Sequence, residues 1–417
     1  MENITVSNKL DKVRIGLVVS VIFLLFVLVW IWGPTPESSI ETETITKTEI
    51  MIQTVFGTTT ITSTNSPIMT ITPTSTTTVF GTTTITSTNS PIMTITLTST
   101  TTATITRTIT VNTVVDKRVE PIAFVVHQRS NDIYIVDLET DEVVSTFNIG
   151  DNPHEVVLHP TRPLLYVSVA GSRMVSVVDI DSFDTVAMMP TDYYPHGLAL
   201  TQDGNYLYVT VDHPQQVWVF NTEDNTRIAV IPVGIAPHMI VVDSTDTFAY
   251  VTNTISDTVS VIDISSNTVV DTIDVDEGPE GVAVSPDGKI LYVANQDSGT
   301  ISIIDTDTRQ IIDTIDGVDG KPIRVAVTPD QRLILVTHFN DDKVTVLNAT
   351  TTEVLASLQV GPRPIMIAFH PSENIVYVSN LGSNYISIID IENLKVTGTI
   401  EVGDGPDGIA IFLPERN

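Results

Sequence analysis

Seven prolines recur at an almost constant interval along residues 153–406, and this period limits the fold of the chain more than any other sequence feature. Each proline opens a short apolar segment, and successive prolines are 42 or 43 residues apart. The seven, which we call the anchor prolines, are Pro153, Pro195, Pro237, Pro279, Pro322, Pro364 and Pro406. A period of about 40–45 residues indicates that one supersecondary unit is repeated around or along the domain.

Other residue types recur at fixed positions inside each repeat. Thirteen residues after the proline, an aromatic or aliphatic residue is followed by valine, as in Tyr166-Val167. Twenty-six residues after the proline, Asp or Asn ends another apolar segment, as at Asp179, and a fourth apolar segment follows. Four short strands per unit, joined by turns rich in Asp, Asn, Gly and Pro, are typical of β-propeller blades.

The two ends of the repeat region complement each other. One period before Pro153, Phe124-Val125 and Asp137 stand where the repeat predicts them, but this first unit lacks its first strand. The chain ends with a first strand, 406–412, that has no unit after it. We therefore predict an all-β, seven-bladed β-propeller, in which the C-terminal strand pairs with the N-terminal blade and closes the ring. An open solenoid, the alternative, would leave unpaired edges and require capping repeats that the sequence lacks.

The repeat resembles a known family. The motifs Tyr250-Val-Thr-Asn253, Tyr292-Val-Ala-Asn295 and Tyr377-Val-Ser-Asn380 look like those of the YVTN-type β-propeller repeats, and the resemblance covers about residues 120–413. Such repeats are common in prokaryotic and archaeal cell-surface and surface-layer proteins. The resemblance implies a propeller at a cell surface, but the same scaffold hosts binding proteins and enzymes. Leu335-Val-Thr-His338 and Phe124-Val-Val-His127 depart from the motif.

A membrane anchor is predicted near the N-terminus. Residues 15–32 form an 18-residue run in which Ser20 is the only polar side chain, long enough to span a hydrocarbon core as a helix. Lys and Arg precede the run and acidic residues follow it, which predicts that residues 1–14 lie in the cytoplasm and that everything after Gly33 lies outside. A cleaved signal peptide is the alternative, although the run ends in Trp-Ile-Trp-Gly-Pro, a poor cleavage site.

A threonine-rich stalk separates the anchor, 15–33, from the propeller, 120–417. Within residues 34–119, a 24-residue unit occurs twice in tandem, and 22 of residues 54–101 are Thr while none is charged. Thr- and Pro-containing tracts of this kind are typical of extended, often glycosylated stalks. The alternation of Thr with other residues is also compatible with β-strands, so that alternative stays open.

Charge and cysteine content limit the partners. The chain has a net charge of −30, and residues 117–417 carry −28 of it. Such a domain repels phosphate backbones, so we expect no nucleic-acid partner, single-stranded DNA included. The chain has no cysteine, which excludes disulfides, thiol nucleophiles and thiolate metal sites.

Candidate functional residues fall at two repeat positions that we expect on one face. The residue after each proline enters the innermost strand; these residues are His154, His196, His238, Glu280, Ile323, Ile365 and Asp407. Sixteen residues after each proline the second strand ends, and here lie Val169, Val211, Asn253, Asn295, His338, Asn380 and, in the first blade, His127. Neutral imidazoles and carboxylates suit divalent transition metals. A Zn or Cu site is therefore predicted from His154, His196, His238, Glu280, Asp407 and His127, with a solvated polar channel lining as the alternative.

Two functions follow from this organisation. The anchor, stalk and ring favour a non-catalytic cell-surface module for adhesion or ligand capture, with cell-envelope or surface-layer proteins or glycans as partners. The alternative is a metal- or cofactor-dependent extracytoplasmic enzyme with a His/Glu/Asp site at the channel mouth. The sequence contains no phosphate-binding glycine loop, no HExxH and no GxSxG motif, so it favours the first.

Overall fold

The computed structural model describes residues 121–318 and 320–413, which form 28 strands. The predicted cytoplasmic segment 1–14, membrane anchor 15–33 and stalk 34–119 lie outside the described residues. Within the described part, no helix is long and apolar enough to cross a membrane. The described strands make seven four-stranded sheets, so the prediction of an all-β, seven-bladed propeller is confirmed.

We number the strands β1–β28 in chain order and call the sheet that contains both chain ends the composite blade. Its first three strands are β1 (Ile122–His127), β2 (Asp132–Asp137) and β3 (Glu142–Asn148). Blade 1 comprises β4 (Pro153–Leu158), β5 (Leu164–Val169), β6 (Met174–Asp179) and β7 (Thr185–Pro190). Blade 2 comprises β8 (Pro195–Leu200), β9 (Tyr206–Val211), β10 (Gln216–Asn221) and β11 (Arg227–Pro232).

Blades 3 to 6 repeat the same pattern. Blade 3 comprises β12 (Pro237–Val242), β13 (Phe248–Asn253), β14 (Thr258–Asp263) and β15 (Thr268–Asp274). Blade 4 comprises β16 (Pro279–Val284), β17 (Ile290–Asn295), β18 (Thr300–Asp305) and β19 (Gln310–Ile315). Blade 5 comprises β20 (Pro322–Val327), β21 (Leu333–His338), β22 (Lys343–Asn348) and β23 (Val354–Gln359). Blade 6 comprises β24 (Pro364–Phe369), β25 (Ile375–Asn380), β26 (Tyr385–Asp390) and β27 (Lys395–Glu401).

The last strand, β28 (Pro406–Phe412), closes the ring as predicted. It pairs with β1 in antiparallel register, with Ile122 opposite Phe412 and His127 opposite Pro406. The composite sheet therefore has the order β3-β2-β1-β28, and β28 takes the place that the first strand holds in every other blade. Blades 1 to 6 are antiparallel meanders of four consecutive strands, and the composite blade has the same antiparallel pairing.

The sequence pattern of each strand follows from its depth in the ring. Second strands such as β5 are buried along nearly their whole length, because neighbouring blades cover both faces, and they read as continuous apolar runs. Fourth strands such as β7 alternate toward solvent at the outer edge. The apolar core consists of seven clusters, one in each interface between adjacent blades, and Tyr377 of blade 6 packs with Val125 of the composite blade to complete the circle.

Side chains at two repeat positions fix the distance between innermost strands. The hydroxyls of Thr210 and Thr252 donate to the carbonyl oxygens of His238 (2.7 Å) and Glu280 (2.8 Å) on the next blade. Two residues after the anchor proline, the neighbouring strand passes so close that a Cβ on Gly281 would lie 2.5 Å from the carbonyl oxygen of Ile323. Gly197 and Gly408 are under the same constraint. These contacts set the width of the channel.

We predict that Gly281→Ala destabilises the fold, whereas Gly398→Ala does not. A methyl group on Gly281 must displace backbone, and overpacking of this kind costs about 1–3 kcal/mol. A Cβ on Gly398, in an outer strand, meets its nearest atom at 3.6 Å, an ordinary contact. Urea unfolding of the two variants measures the difference. Equal stability of both variants would contradict the close approach of the inner strands.

Candidate functional site

The residues that follow the anchor prolines meet at one end of the channel. His154, His196, His238, Glu280, Ile323, Ile365 and Asp407 all line a single pocket of about 150 Å³, which we call the channel-mouth pocket. Gln128, Glu155, Met239 and Arg324 complete its wall. Because each innermost strand begins at its proline, the same repeat position brings one side chain from every blade to this end. Five of the six predicted site residues therefore lie together.

One side of the pocket is an Asp–His pair. The Nδ1 atom of His154 lies 3.1 Å from Oδ2 of Asp407, and Gln128 donates to the same Oδ2 at 2.9 Å. On the other side of the imidazole ring, Nε2 of His154 lies 3.1 Å from the side-chain amide nitrogen of Asn152. The side-chain amide nitrogen of Gln128 also lies 2.8 Å from Nδ1 of His154. Asp407, Gln128 and Asn152 together hold the orientation of the His154 ring.

The opposite side is a Glu–His pair. The Nδ1 atom of His238 lies 3.1 Å from Oε1 of Glu280, at an angle that does not suit a hydrogen bond. Gln296 donates to the other oxygen of Glu280 at 3.3 Å. His196 stands between the two pairs, with ring centroids 4.9 Å from His154 and 4.7 Å from His238. Three imidazoles therefore line one arc of the mouth.

A buried ion pair spans the channel one position deeper. The Nη2 atom of Arg324, on β20 of blade 5, donates to Oε2 of Glu155, on β4 of blade 1, at 3.0 Å. Both residues are more than nine-tenths buried. The Nε and Nη1 atoms of Arg324 have no hydrogen-bond partner among the described residues, although both are buried. An unpaired, charged donor at the wall of a pocket is costly unless a ligand or water satisfies it.

The environment shifts several pKa values in directions that matter for chemistry. Burial, reinforced by the neighbouring imidazoles, lowers the pKa of His196 to about 2. Burial, together with the charge of Arg324, lowers the pKa of His238 to about 3. Burial raises the pKa of Glu155 and of Glu280 to about 7 in each case, against the opposing effect of Arg324. At neutral pH, His196 and His238 are therefore uncharged, and the two glutamates are poised to gain or lose a proton.

His127 does not join the channel-mouth group. It is fully buried inside the composite blade, where its Nε2 accepts from the backbone of Gly403 at 3.0 Å and its Nδ1 lies 3.0 Å from Asp132. Burial lowers its pKa, partly offset by Asp132. The other residues sixteen positions after a proline are buried as well, and Asn253 donates to Ser260 of its own blade. This repeat position serves packing within blades, because the second strand ends behind the innermost strand.

The metal prediction concerns the same pocket. Among the described residues, no three His, Asp or Glu side chains are arranged so that they could hold a metal ion. Both ring nitrogens of His154 are in contact with Asp407 or Asn152, and Nδ1 of His238 lies 3.1 Å from Glu280. A Zn or Cu site built from His154, His196, His238, Glu280 and Asp407 requires these side chains to rearrange, and it stays a prediction.

Glu155 and Arg324 are the site residues that sequence reasoning missed. They lie two residues after their prolines, at a position where three other blades carry Gly and two carry Met. This buried strand position is Gly or Met in five repeats, whereas the remaining two repeats carry one acid and one base. An acid and a base at such a position are a sequence signal of a buried ion pair.

The fold and the site together define a seven-bladed β-propeller with a polar channel-mouth pocket, and two family models agree with this class. One, described as a YNCE-like β-propeller, matches residues 190–317. The other, described as a lactonase, 7-bladed β-propeller, matches residues 270–407, a span that contains Glu280, Arg324 and Asp407. The comparison with curated proteins finds no match. The models support a β-propeller family, while the surface-layer branch of the predicted resemblance stays a prediction.

Solved structures with the same fold have varied descriptions. Hydrazine synthase from Kuenenia stuttgartiensis is 23% identical over 61% of this chain and 88% of that one, with a TM-score of 0.58. A functionally unknown protein from Desulfotomaculum acetoxidans is 18% identical over 70% and 99%, with a TM-score of 0.64. Dihydro-heme d1 dehydrogenase NirN in complex with DHE is 15% identical over 67% and 63%, with a TM-score of 0.55. At these identities the likeness is one of fold.

Proposed function

We propose that this protein is a membrane-anchored, extracytoplasmic β-propeller that binds a small carboxylate-bearing ligand in its channel-mouth pocket. The observation that carries the proposal is the buried guanidinium of Arg324, whose Nε and Nη1 lack a partner at the pocket wall. Arginine presents its N–H groups in a planar fork that matches a carboxylate. The anchor and stalk predicted from the sequence put this binding site outside the cell, at a distance from the membrane.

The other pocket residues suit a polar ligand with oxygen atoms. His196 and His238 are neutral at pH 7, so each supplies one N–H donor and one acceptor. Ile323 and Ile365 form the apolar part of the wall. A few directed polar groups among apolar side chains are typical of small-molecule sites.

The binding test compares Arg324→Lys with Arg332→Lys in the full-length protein, purified in detergent, with lactate and acetate as probes. Arg324→Lys keeps the positive charge opposite Glu155 but removes the fork, and we expect it to weaken lactate binding by at least tenfold, since charge-assisted hydrogen bonds contribute about 1.5–3 kcal/mol. Arg332 lies in an exposed turn, so its variant should bind as the wild type does. Calorimetry that finds no binding, or equal binding in both variants, would refute the proposal.

Carboxylate binding should weaken as the pH rises through about 7. Glu155 faces Arg324, Asp407 and His154, and Glu280 faces His238, Arg324 and Asp297. Both glutamates are protonated below pH 7 and ionise above it, so they then repel an anionic ligand that they tolerate at lower pH. We expect affinity for lactate to be higher at pH 5.5 than at pH 8.5, with proton uptake on binding. Glu280→Gln should reduce this dependence, and a wild-type affinity that is constant over the range would contradict the assignment.

A second candidate function is the hydrolysis of a lactone in the same pocket. The match to the lactonase model covers Glu280 and Arg324, and His238 pairs with Glu280 beside them. In this scheme, the carboxylate of Glu280, whose pKa of about 7 suits a general base, removes a proton from water as the water oxygen bonds to the lactone carbonyl carbon. Arg324 stabilises the resulting oxyanion. The ring C–O bond then breaks, and the leaving oxygen takes the proton back from Glu280, which gives a hydroxycarboxylate.

This candidate is tested by titrating the acid released from δ-valerolactone at constant pH. Hydrolysis above the uncatalysed rate, lost in Glu280→Gln and retained in Glu277→Gln, would favour the enzyme. Glu277 is the matched control because it is an exposed glutamate three residues before Glu280 and does not line the pocket. Release at the uncatalysed rate by the wild type removes the catalytic candidate and leaves the binding function in place.

A further inference from the structure

The face of the propeller around the channel-mouth pocket is not uniform. Two sets of loops form its rim: those that lead into the anchor prolines, and those that join the second and third strands. At blades 2 and 3 this rim exposes four large apolar or aromatic side chains, which we call the apolar sector. They are Tyr193 (42% exposed), Tyr194 (49%), Ile235 (52%) and Ile255 (69%).

The repeat itself shows that the fold does not require these residues. At the two positions before the proline, other blades carry polar, charged, glycine or proline residues, namely Asp151-Asn152, Glu277-Gly278, Gly320-Lys321, Pro362-Arg363 and Asp404-Gly405. At the position of Ile255, they carry Gly171, His213, Asp297, Asn340, Gly382 and Arg129. Large exposed apolar groups gathered on one sector of a highly charged protein are typical of an interaction site.

The apolar sector lies on loops that adjoin strands with pocket residues. Only Pro195 separates Tyr194 from His196, and Ile235 lies three residues before His238. The backbone of Ile255 donates to the carbonyl of Ile235 at 3.2 Å, so the two isoleucines are neighbours. The guanidinium of Arg173 lies 5.6 Å from the ring centroid of Tyr194. The aromatic part of the sector is thus held at the pocket entrance.

The rest of the rim is acidic. Exposed carboxylates stand in five loops, at Asp151, Glu277, Asp297, Asp341 and Asp404. Three of these carboxylates have basic partners: Asp297 lies 2.7 Å from Lys321, Asp341 lies 3.7 Å from Lys343, and Asp404 lies 3.2 Å from Arg129. Arg173 lies over Tyr194, and Arg363 lies near Phe339. Asp151 and Glu277 have no ion-pair partner among the described residues, so these two carboxylates can pair with a basic segment of a ligand that extends across this face.

We infer that the ligand is the free carboxy terminus of a peptide segment. Its terminal carboxylate lies at Arg324, an apolar side chain close to the terminus packs on the apolar sector, and basic residues further back face the acidic rim. The rim lies about three to four strand residues above Arg324, a depth of roughly 10–13 Å. An extended peptide covers this depth with its last three or four residues. This inference rests on the proposed function, because it uses the same carboxylate site.

The test uses acetylated hexapeptides that begin with two lysines, carry leucine at the third and fourth positions and end in glycine and serine, with either a free or an amidated terminus. We expect the free form to bind the full-length protein at least tenfold more tightly than the amidated form. The double variant Tyr193→Asp, Tyr194→Asn copies the loop at Asp151-Asn152 and should weaken peptide binding at least tenfold, with lactate binding unchanged. Ile311→Asn and Ile312→Asn, exposed on an outer strand, are controls that should change neither.

The outcomes separate the inference from the function on which it rests. Lactate binding that depends on Arg324, together with equal affinity for free and amidated peptides, would overturn the inference and leave the proposed function. Peptide binding that is unchanged in the tyrosine double variant would also overturn it. Absence of binding of both lactate and peptide removes both proposals. Weaker binding when glutamates replace the two peptide lysines supports the assignment of the acidic rim.

Discussion

A chain that ends at Gly405 should fail to fold. Without β28, the composite blade loses its innermost strand, β1 is left with an open edge, and Ile409 and Ala410 leave two of the seven core clusters. The lost strand packs against blade 1 on one side and blade 6 on the other, so its absence exposes apolar surface of both blades. We expect the loss to exceed the ~5–15 kcal/mol by which a typical domain is stable. The readout is the cooperative urea transition, which should be absent.

A permuted chain is the control for this truncation. The pairing of Ile122 with Phe412 puts the end of β28 beside the start of β1, so a two-residue Asn-Gly turn can join them. The control starts from the chain that ends at Gly405 and carries residues 406–413, followed by this turn, inserted before residue 121. We expect this chain to unfold cooperatively again. If the truncated chain unfolds as cooperatively as the wild type without the insertion, ring closure by β28 does not stabilise the fold.

The second large effect is expected from Arg324→Met. This change leaves Glu155 buried without its cation, and removal of one partner from a buried ion pair costs about 3–5 kcal/mol while the other stays charged. Changing both residues to Met removes both buried charges, so the double variant should be close to the wild type in stability. Urea unfolding of the single and double variants measures the coupling, and additive single effects would contradict an interaction across the channel.

The cost of Arg324→Met should depend on pH. The pKa of Glu155 in the folded protein is about 7, above its ordinary value of 4.5, so burial of Glu155 is least costly below pH 4.5 and becomes more costly as the pH rises through 7. Loss of Arg324 raises the pKa of Glu155 further, which extends the penalty to higher pH. We therefore expect a large difference from the wild type at pH 8.5 and a small one at pH 5. Equal differences at both pH values would argue against Glu155 as the titrating group.

The fold could be predicted almost completely from the sequence, because the same pattern of apolar strands and polar turns occurs in each of the seven blades. The anchor prolines place the start of each innermost strand, and the missing first strand of the unit around Phe124 matches the extra strand at Pro406. The pocket residues at the position after each proline could be predicted for the same reason. The period alone fixes which side chains share a level of the channel.

The sequence period does not show whether a side chain faces the channel or the interior of its own blade. His127 and Asn253 follow the same period as the mouth residues, but the period does not tell whether a strand end faces the channel or the interior of its blade, and the structure places both in the interior. Glu155 and Arg324, which pair across the ring between blades 1 and 5, were missed because their signal lies in residue type at one repeat position and not in the spacing of residues. The pKa values of Glu155 and Glu280 depend on burial, which only the structure gives.

We expect a carboxylate to occupy the channel-mouth pocket at Arg324. A crystal structure of the protein grown with saturating lactate at pH 5.5, where both glutamates are protonated, shows directly whether it does. The lactate carboxylate should lie within hydrogen-bond distance of Nε or Nη1 of Arg324. A pocket that holds only water, with lactate bound elsewhere or not at all, would contradict this expectation.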